Sequence, residues 1–189
     1  MQILEPVPQR MRFTRGQFDA MIAGGVLHED DRVELIDGEI YAHMPPGSKH
    51  IARVNRLQAK LILALKERAV VSTQNPIALS EFSEPQPDIA VLKPVPDYYE
   101  SRLADPADVF FVVEVSDSSI RFDRDTKMPL YAACDIKEAW LLDVTARRVT
   151  VYRKPEGNSY TEQLSYGPAD QIPLTAFPGE SIAASDLGL

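Results

Sequence analysis

The sequence holds one cysteine, Cys134, and three histidines in 189 residues. A lone cysteine excludes an internal disulfide, and no Cys/His cluster has the spacing of a zinc site. Long apolar runs are also missing, so nothing reads as a bilayer span. The N-terminal "MQILEPVPQRMRF" lacks a basic segment followed by an apolar one, and so does not read as a signal peptide. The expectation is a cytoplasmic protein with no membrane contact. Positive charge is in short supply too: 20 Lys and Arg face 28 Asp and Glu, for a formal charge of −8. That balance excludes coating nucleic acid through a broad basic surface. It leaves room for an enzyme that meets nucleic acid at a local site, because metal-binding carboxylates themselves make a chain acidic. Internal repeats and low-complexity linkers are absent, and the fifteen prolines fall mostly in connections such as "MPPGS", "SEPQP" and "LKPVP".

What is present is ordinary for a globular protein: 44% apolar and 25% charged residues, with length enough to bury a core as one domain spanning 1–189. "FTRGQFDAMIAGG" reads as a short helix with Thr14 as N-cap, an inner face of Phe18, Met21 and Ile22, and Gly24-Gly25 as its stop. "RVELIDGEIYAHM" reads as a hairpin about Asp37-Gly38. The strongest helix starts at a candidate cap, Ser48, and carries Ile51, Val54, Leu57, Leu61 and Leu65 at helical spacing. "VVSTQNPIAL", "PDIAVL" and "DVFFVVEV" are strand-like. A helix over roughly 122–134 follows, with Pro129 expected in its first turn. "KEAWLLDV", "RRVTVYRK" and "SYTEQLSY" are further strands. The order predicts an α/β (α+β) fold with a central mixed β-sheet flanked by helices.

The chemistry lies in where acids interrupt apolar strands. In "DVFFVVEVS", Glu114 falls on the same face as Phe110 and Val112, and Asp88 opens the apolar strand "DIAVL". A buried carboxylate needs a cation, a metal or donors. Glu34 sits between Val33 and Leu35, facing opposite to them, and an exposed hairpin face explains it equally well. Lys127 shares a helical stripe with Leu130, Tyr131 and Cys134, so a lysine heads a core-facing face. Snorkelling to solvent is the plain explanation. The sharper one places its ammonium over the sheet beside the acids. Oxygen ligands of this kind bind Mg²⁺ or Mn²⁺, and a nearby lysine orients or deprotonates an attacking water or stabilises the transition state. That combination performs metal-assisted phosphodiester hydrolysis. His50, at a helix start, is by default a surface or capping residue, and Gln74 a strand-end polar group; together with Ser116 they are carried as substrate-binding candidates. Trp140 and Tyr131 read as core, and Asp117, Asp123 and Asp125 as caps of the turn and helix. The polar loop "YYESRLADPAD" is a candidate border of the substrate channel.

"QPD" at 86–88 followed by "VVEVS" at 112–116 resembles the PD-(D/E)XK restriction-endonuclease-like superfamily. Within it the chain is similar to the Uma-type family of short, stand-alone restriction-type endonucleases, through seven ordered blocks: "EDDRVELIDGEI", "MPPGSKH", "TQNPIAL", "SEPQPDIAVL", "VVEVSDSS", "DRDTKMPLYA" and "KEAWLLD", with "FPG" near the end. The resemblance implies a restriction-endonuclease-like core. It implies Asp88 and Glu114 as metal ligands with the Val115 carbonyl as a third, and Glu34 as the acid completing or steering the metal shell. Ser116 stands where that pattern has its lysine, and Lys127 occupies the position of a lysine moved to a neighbouring helix. The implied activity is a Mg²⁺-dependent DNA endonuclease, with Mn²⁺ as an alternative ion and Glu34, Asp88, Glu114 and Lys127 as catalytic residues. Two other readings stand beside it: a catalytically weak or inactive relative serving as a nucleic-acid or protein interaction module, and an enzyme of another phosphodiester such as RNA. A homodimer is expected, since cutting both strands takes two sites, and "KEAWLLDVTARRVTVYRK" is a candidate surface for it.

Overall fold

The computed structural model describes residues 10–28 and 30–189. Residues 1–9, which carry most of the stretch read against a signal peptide, and Glu29 lie outside the described residues. Helix α1, Arg15–Ala23, forms as expected, with Thr14 and Gln17 in a reciprocal capping box and Gly24 as C-cap. Strands β1, Val33–Ile36, and β2, Glu39–Ala42, make the hairpin. Asp37 and Gly38 turn it with φ of 50° and 80°. Arg12 lies so close to Gly38 that a Cβ there would meet the arginine side chain at 2.5 Å, so the turn takes glycine on two counts.

Helix α2, Ser48–Leu65, buries Val54, Leu57, Leu61 and Leu65. Two expectations for it change. Gly47 is the N-cap and makes no side-chain bond, with Ser48 already inside the helix. Ile51 is 44% exposed, and the buried stripe starts only at Val54.

A six-stranded sheet follows in the order β3-β4-β5-β6-β7-β8, comprising Val70–Thr73, Ile89–Leu92, Val109–Ser116, Glu138–Asp143, Arg148–Glu156 and Ser159–Tyr166. Only the β5–β6 pair is parallel, as a helical crossover between them requires. A small antiparallel pair, β9, Gln171–Pro173, and β10, Ser181–Ala183, closes the chain. The sheet separates two cores. On one face α2 packs against Val113, Val115, Trp140, Leu142 and Val151. On the other, Met128, Tyr131 and Ala132 pack against Ala90, Val112, Ala139 and Leu141. The apolar residues of "KEAWLLDVTARRVTVYRK" are thereby spent in the core.

Two local irregularities depart from the expected pattern. A register shift opposite Val91 and Leu92 leaves Phe110 as the extra residue of β5. Phe110 packs toward the α2 core and Phe177, not with Val112 and Glu114; the bulge flips the alternation. The crossover helix also starts early and is not regular. It runs from α3, Ile120–Phe122, through a π-helical turn, Asp123–Lys127, into α4, Met128–Ala133. Pro129 therefore sits mid-segment. The Met128 N–H reaches back to the Asp123 carbonyl, and this wider turn absorbs a residue that has no N–H to give to a regular one.

Candidate active site

The β4–β5 register, with Ile89 opposite Val113, carries Asp88 beside the C-terminal end of β5. There the Val115 N–H donates to Asp88 Oδ2 at 2.8 Å. β5 ends here next to its parallel neighbour β6, and the carboxyl ends of such strands are where open α/β sheets form ligand sites. The π-turn brings Lys127 over this edge. Its Nζ lies 3.0 Å from Glu34 Oε2 and 3.2 Å from Glu114 Oε1. Glu34, Glu114 and Lys127 are 1%, 3% and 4% exposed. Lys127 thus does not snorkel, and Glu34 does not occupy an exposed hairpin face: all four residues of β1 are buried.

Each acid is held by further donors. Glu34 accepts from the Gln86 N–H at 3.0 Å and bonds through Oε1 to His43 Nε2. Asp88 bonds through Oδ2 to His50 Nε2 at 2.9 Å and accepts at Oδ1 from Gln74 Nε2 at 3.2 Å. The Tyr131 hydroxyl donates to Glu114 Oε1 at 2.5 Å. Asp123 accepts from the Ser119 hydroxyl at 2.7 Å.

These contacts divide the acids. Burial works against the charged forms of Glu34 and Asp88, but His43 and Lys127 on the first and His50 on the second outweigh it, and both stay below the usual carboxylate range. Glu114 goes the other way. Burial pushes it up to about 8, against the pull of Lys127 and with the help of Asp123, Asp88 and Glu34. Burial raises Asp123 as well. For Lys127 burial disfavours the ammonium, yet Glu114 and Glu34 hold it charged. The hydrogen bond to Asp88 raises His50.

A cavity of about 340 Å³ opens over this edge, lined by Asp88, Glu114, Val115, Asp123, Lys127, His50 and Gln74 among others. Of the expected site residues, Glu34 and Ser116 do not line it. Ser116 is buried, with its hydroxyl 3.2 Å from that of Ser119. The loop at 98–108 contributes no lining residue. Asp123 does not cap a helix but turns inward as a buried acid, while Asp125 pairs with Arg124 at the surface.

The donor chemistry fits a hard divalent cation in a limited way. Among the described residues, no three Asp, Glu, His or Cys side chains converge as a ready metal cluster. Lys127 stands between Glu34 and Glu114, and both Glu34 oxygens have partners. Asp88 also has a partner on each oxygen, but unlike Glu34 it lines the cavity, as Glu114 does; the bonds to Glu114 all fall on Oε1, leaving Oε2 without a protein donor among the described residues. Mg²⁺ is commonly held by one or two carboxylates plus water and substrate phosphate, so this pair suffices.

Sequence reasoning did not single out Tyr131, His43 or Gln86 for this site. Tyr131 had a readable signal, lying one helical turn beyond Lys127 on the same face. Gln86 had none, since only the docking of the hairpin, through the Leu35–Glu84 bridge, brings it to Glu34; His43 was readable from the hairpin itself, lying two residues beyond Tyr41, the cross-strand partner of Glu34, on the same face.

The architecture is shared with a solved structure. The chain superposes with a TM-score of 0.72 on a crystal structure from Anabaena variabilis titled a "putative nuclease belonging to DUF820", at 20% identity over 93% of this chain and 97% of that one. The sequence matches the model of the Uma2 family, described as "Putative restriction endonuclease", over residues 16–185. The chain belongs to that family, and its class is nuclease. A search among curated proteins finds no match. Among the described residues no helix is long and apolar enough to cross a membrane.

Proposed function

We propose that the chain is a Mg²⁺-dependent DNA endonuclease, with Mn²⁺ able to substitute, hydrolysing phosphodiester bonds at the cavity over β4 and β5. The observation that carries this reading is the buried Lys127 ammonium between Glu34 and Glu114, beside an Asp88 tied to the same strand end. Asp88 and Glu114 would hold the cation, with the Val115 carbonyl as a third oxygen at the cavity wall. A divalent cation bound there supplies Lewis acidity to the phosphoryl group and acidifies water. Lys127, fixed by its two partners, offers a positive charge to the phosphoryl oxygens as they gain charge, and positions the attacking water. Glu34 steers by anchoring Lys127, and His50 and Gln74 keep Asp88 turned to the cavity. Cutting of both strands would call for two copies of the chain.

Purified protein incubated with supercoiled plasmid and with single-stranded circular DNA, in Mg²⁺ or Mn²⁺ at several salt concentrations, tests the reading. Metal-dependent cleavage is expected from wild type and not from Asp88→Ala or Lys127→Ala. No cleavage of either DNA sinks the endonuclease assignment and favours an interaction module. Cleavage surviving Asp88→Ala sinks the site.

A further inference from the structure

The surroundings of the cavity are poor in what grips a duplex. Protein–DNA affinity of the non-specific kind comes from many Lys and Arg contacts to phosphate, and this chain carries −8. Of the arginines and lysines that line the cavity, Lys127 is committed to Glu34 and Glu114, which leaves Arg32. Arg32 makes no ion pair among the described residues. Beside the cavity stands an aromatic group, of which His43 is a lining residue and Tyr41 and Phe122 are not. The Phe122 ring lies 5.0 Å from that of Tyr41 and 5.9 Å from that of His43, which lines the cavity. Neither Phe122 nor Tyr41 belongs to a core cluster. Next to His43, Met44 is 87% exposed and also lines the cavity. Part-exposed rings and an apolar projection stabilise the fold little, and they are what unstacked bases bind to.

We propose that the substrate of this site is an unpaired DNA strand. Its bases stack on His43 at the cavity and on Tyr41 and Phe122 just beyond it, Met44 wedges between neighbouring bases, and Arg32 takes an adjacent phosphate. In a duplex those base faces are already covered by their neighbours, so the rim has nothing to hold. The inference rests on the nuclease reading and names its substrate class.

Fluorescence anisotropy with a labelled 15-nucleotide strand and the matching duplex, in Ca²⁺ in place of Mg²⁺, tests it. The strand is expected to bind at least about 10-fold tighter than the duplex, with Phe122→Leu and Met44→Ser each weakening the strand about 5-fold or more and leaving the duplex unchanged. Arg32→Ala should flatten the salt dependence by roughly 0.7 in log–log slope, one phosphate contact on a single strand. Met44 is a surface residue, so its variant reports even if Phe122→Leu fails to fold. Equal or tighter duplex binding, no binding of either DNA, or strand affinity untouched by both substitutions overturns the proposal. Cleavage of the same DNAs in Mg²⁺ separates it from the reading beneath it. Equal cutting of strand and duplex overturns the substrate class while nuclease activity stands. Strand preference without any cutting supports the substrate class and overturns the nuclease reading.

Discussion

Two buried glutamates on neighbouring central strands, Glu114 on β5 and Glu138 on β6, have opposite surroundings. At the start of β6, Glu138 accepts from Trp140 Nε1 at 2.7 Å on one oxygen and from Arg153 Nε at 2.6 Å on the other. It has one cation to itself and no lone oxygen. At the other end of the sheet, Glu114 shares Lys127 with Glu34, has both of its donors on one oxygen, and feels Asp123 and Asp88 nearby. Both strands bury a carboxylate of the same type, and both surroundings are tightly packed. What separates them is bookkeeping of donors and charge: Glu138 is fully matched, whereas Glu114, the proposed metal ligand, is left short of partners that substrate or metal could supply.

Substitution can break that comparison. The largest effect is expected from Glu114→Gln, which keeps shape and the Tyr131 contact but removes the ability to ionise. Cleavage should fall by about 10³, while the melting temperature at neutral pH holds or rises, since folding no longer has to keep a buried carboxyl from ionising. Glu138→Ala should do the reverse. It strands Arg153 and the Trp140 N–H in the interior, costing about 3 kcal/mol in denaturant unfolding, with cleavage retained below the new melting point. A Glu138 variant that unfolds no more easily than wild type would dissolve the distinction.

Tyr131→Phe gives an intermediate effect. The ring still fills the core beside Val112 and Met128, but Glu114 loses one of the two donors on Oε1 and is held there by Lys127 alone. Loss of an outer partner of a metal ligand typically costs 10–100-fold in metal affinity or activity. Tb³⁺ or Mn²⁺ titration of the pure protein is expected to show weaker binding of about that size, and raising the Mg²⁺ concentration should recover much of the cleavage rate. A lost rate that extra Mg²⁺ leaves unmoved would assign Tyr131 to packing alone.

Much of this was legible in the sequence, and the failures share a cause. The Asp37-Gly38 turn, the amphipathic stripe of α2 and the acid at the end of β5 are local patterns, and each formed where periodicity or turn chemistry required. Lys127 was legible because 127 and 131 lie one turn apart on a helix, a relation that survives the π-turn immediately before Met128. Phe110 misled because a single bulge residue inverts a period of two. Asp123 misled because an acid near a helix start looks like a cap, and only the inward π-turn shows that it faces the cavity. The His50–Asp88 contact joins residues 38 positions apart. No pattern along one strand or helix encodes such a pair, which arises from how α2 docks on the sheet, whereas the His43–Glu34 contact, 9 positions apart, follows from the hairpin register.

The smallest predicted effect is in the pH dependence of stability, and it again turns on Glu114. Its carboxyl is pushed from an ordinary 4.5 up to about 8 on folding, so between those values the folded chain holds a proton that the unfolded chain has released. Stability falls with rising pH wherever the folded state binds more protons, so Glu114 contributes a downward slope from about pH 4.5 to 8. His50, also raised, adds to the decline above its ordinary 6.5. Glu34 and Asp88, both lowered, contribute stability that is lost only in acid, below this window. Urea unfolding of wild type and Glu114→Gln at pH 5, 6, 7 and 8 is expected to show the variant gaining on wild type at each step. A constant gap between the two across that range would mean that Glu114 is already ionised when folded, with Lys127 its full counter-ion, and would place it with Glu138 among the matched acids.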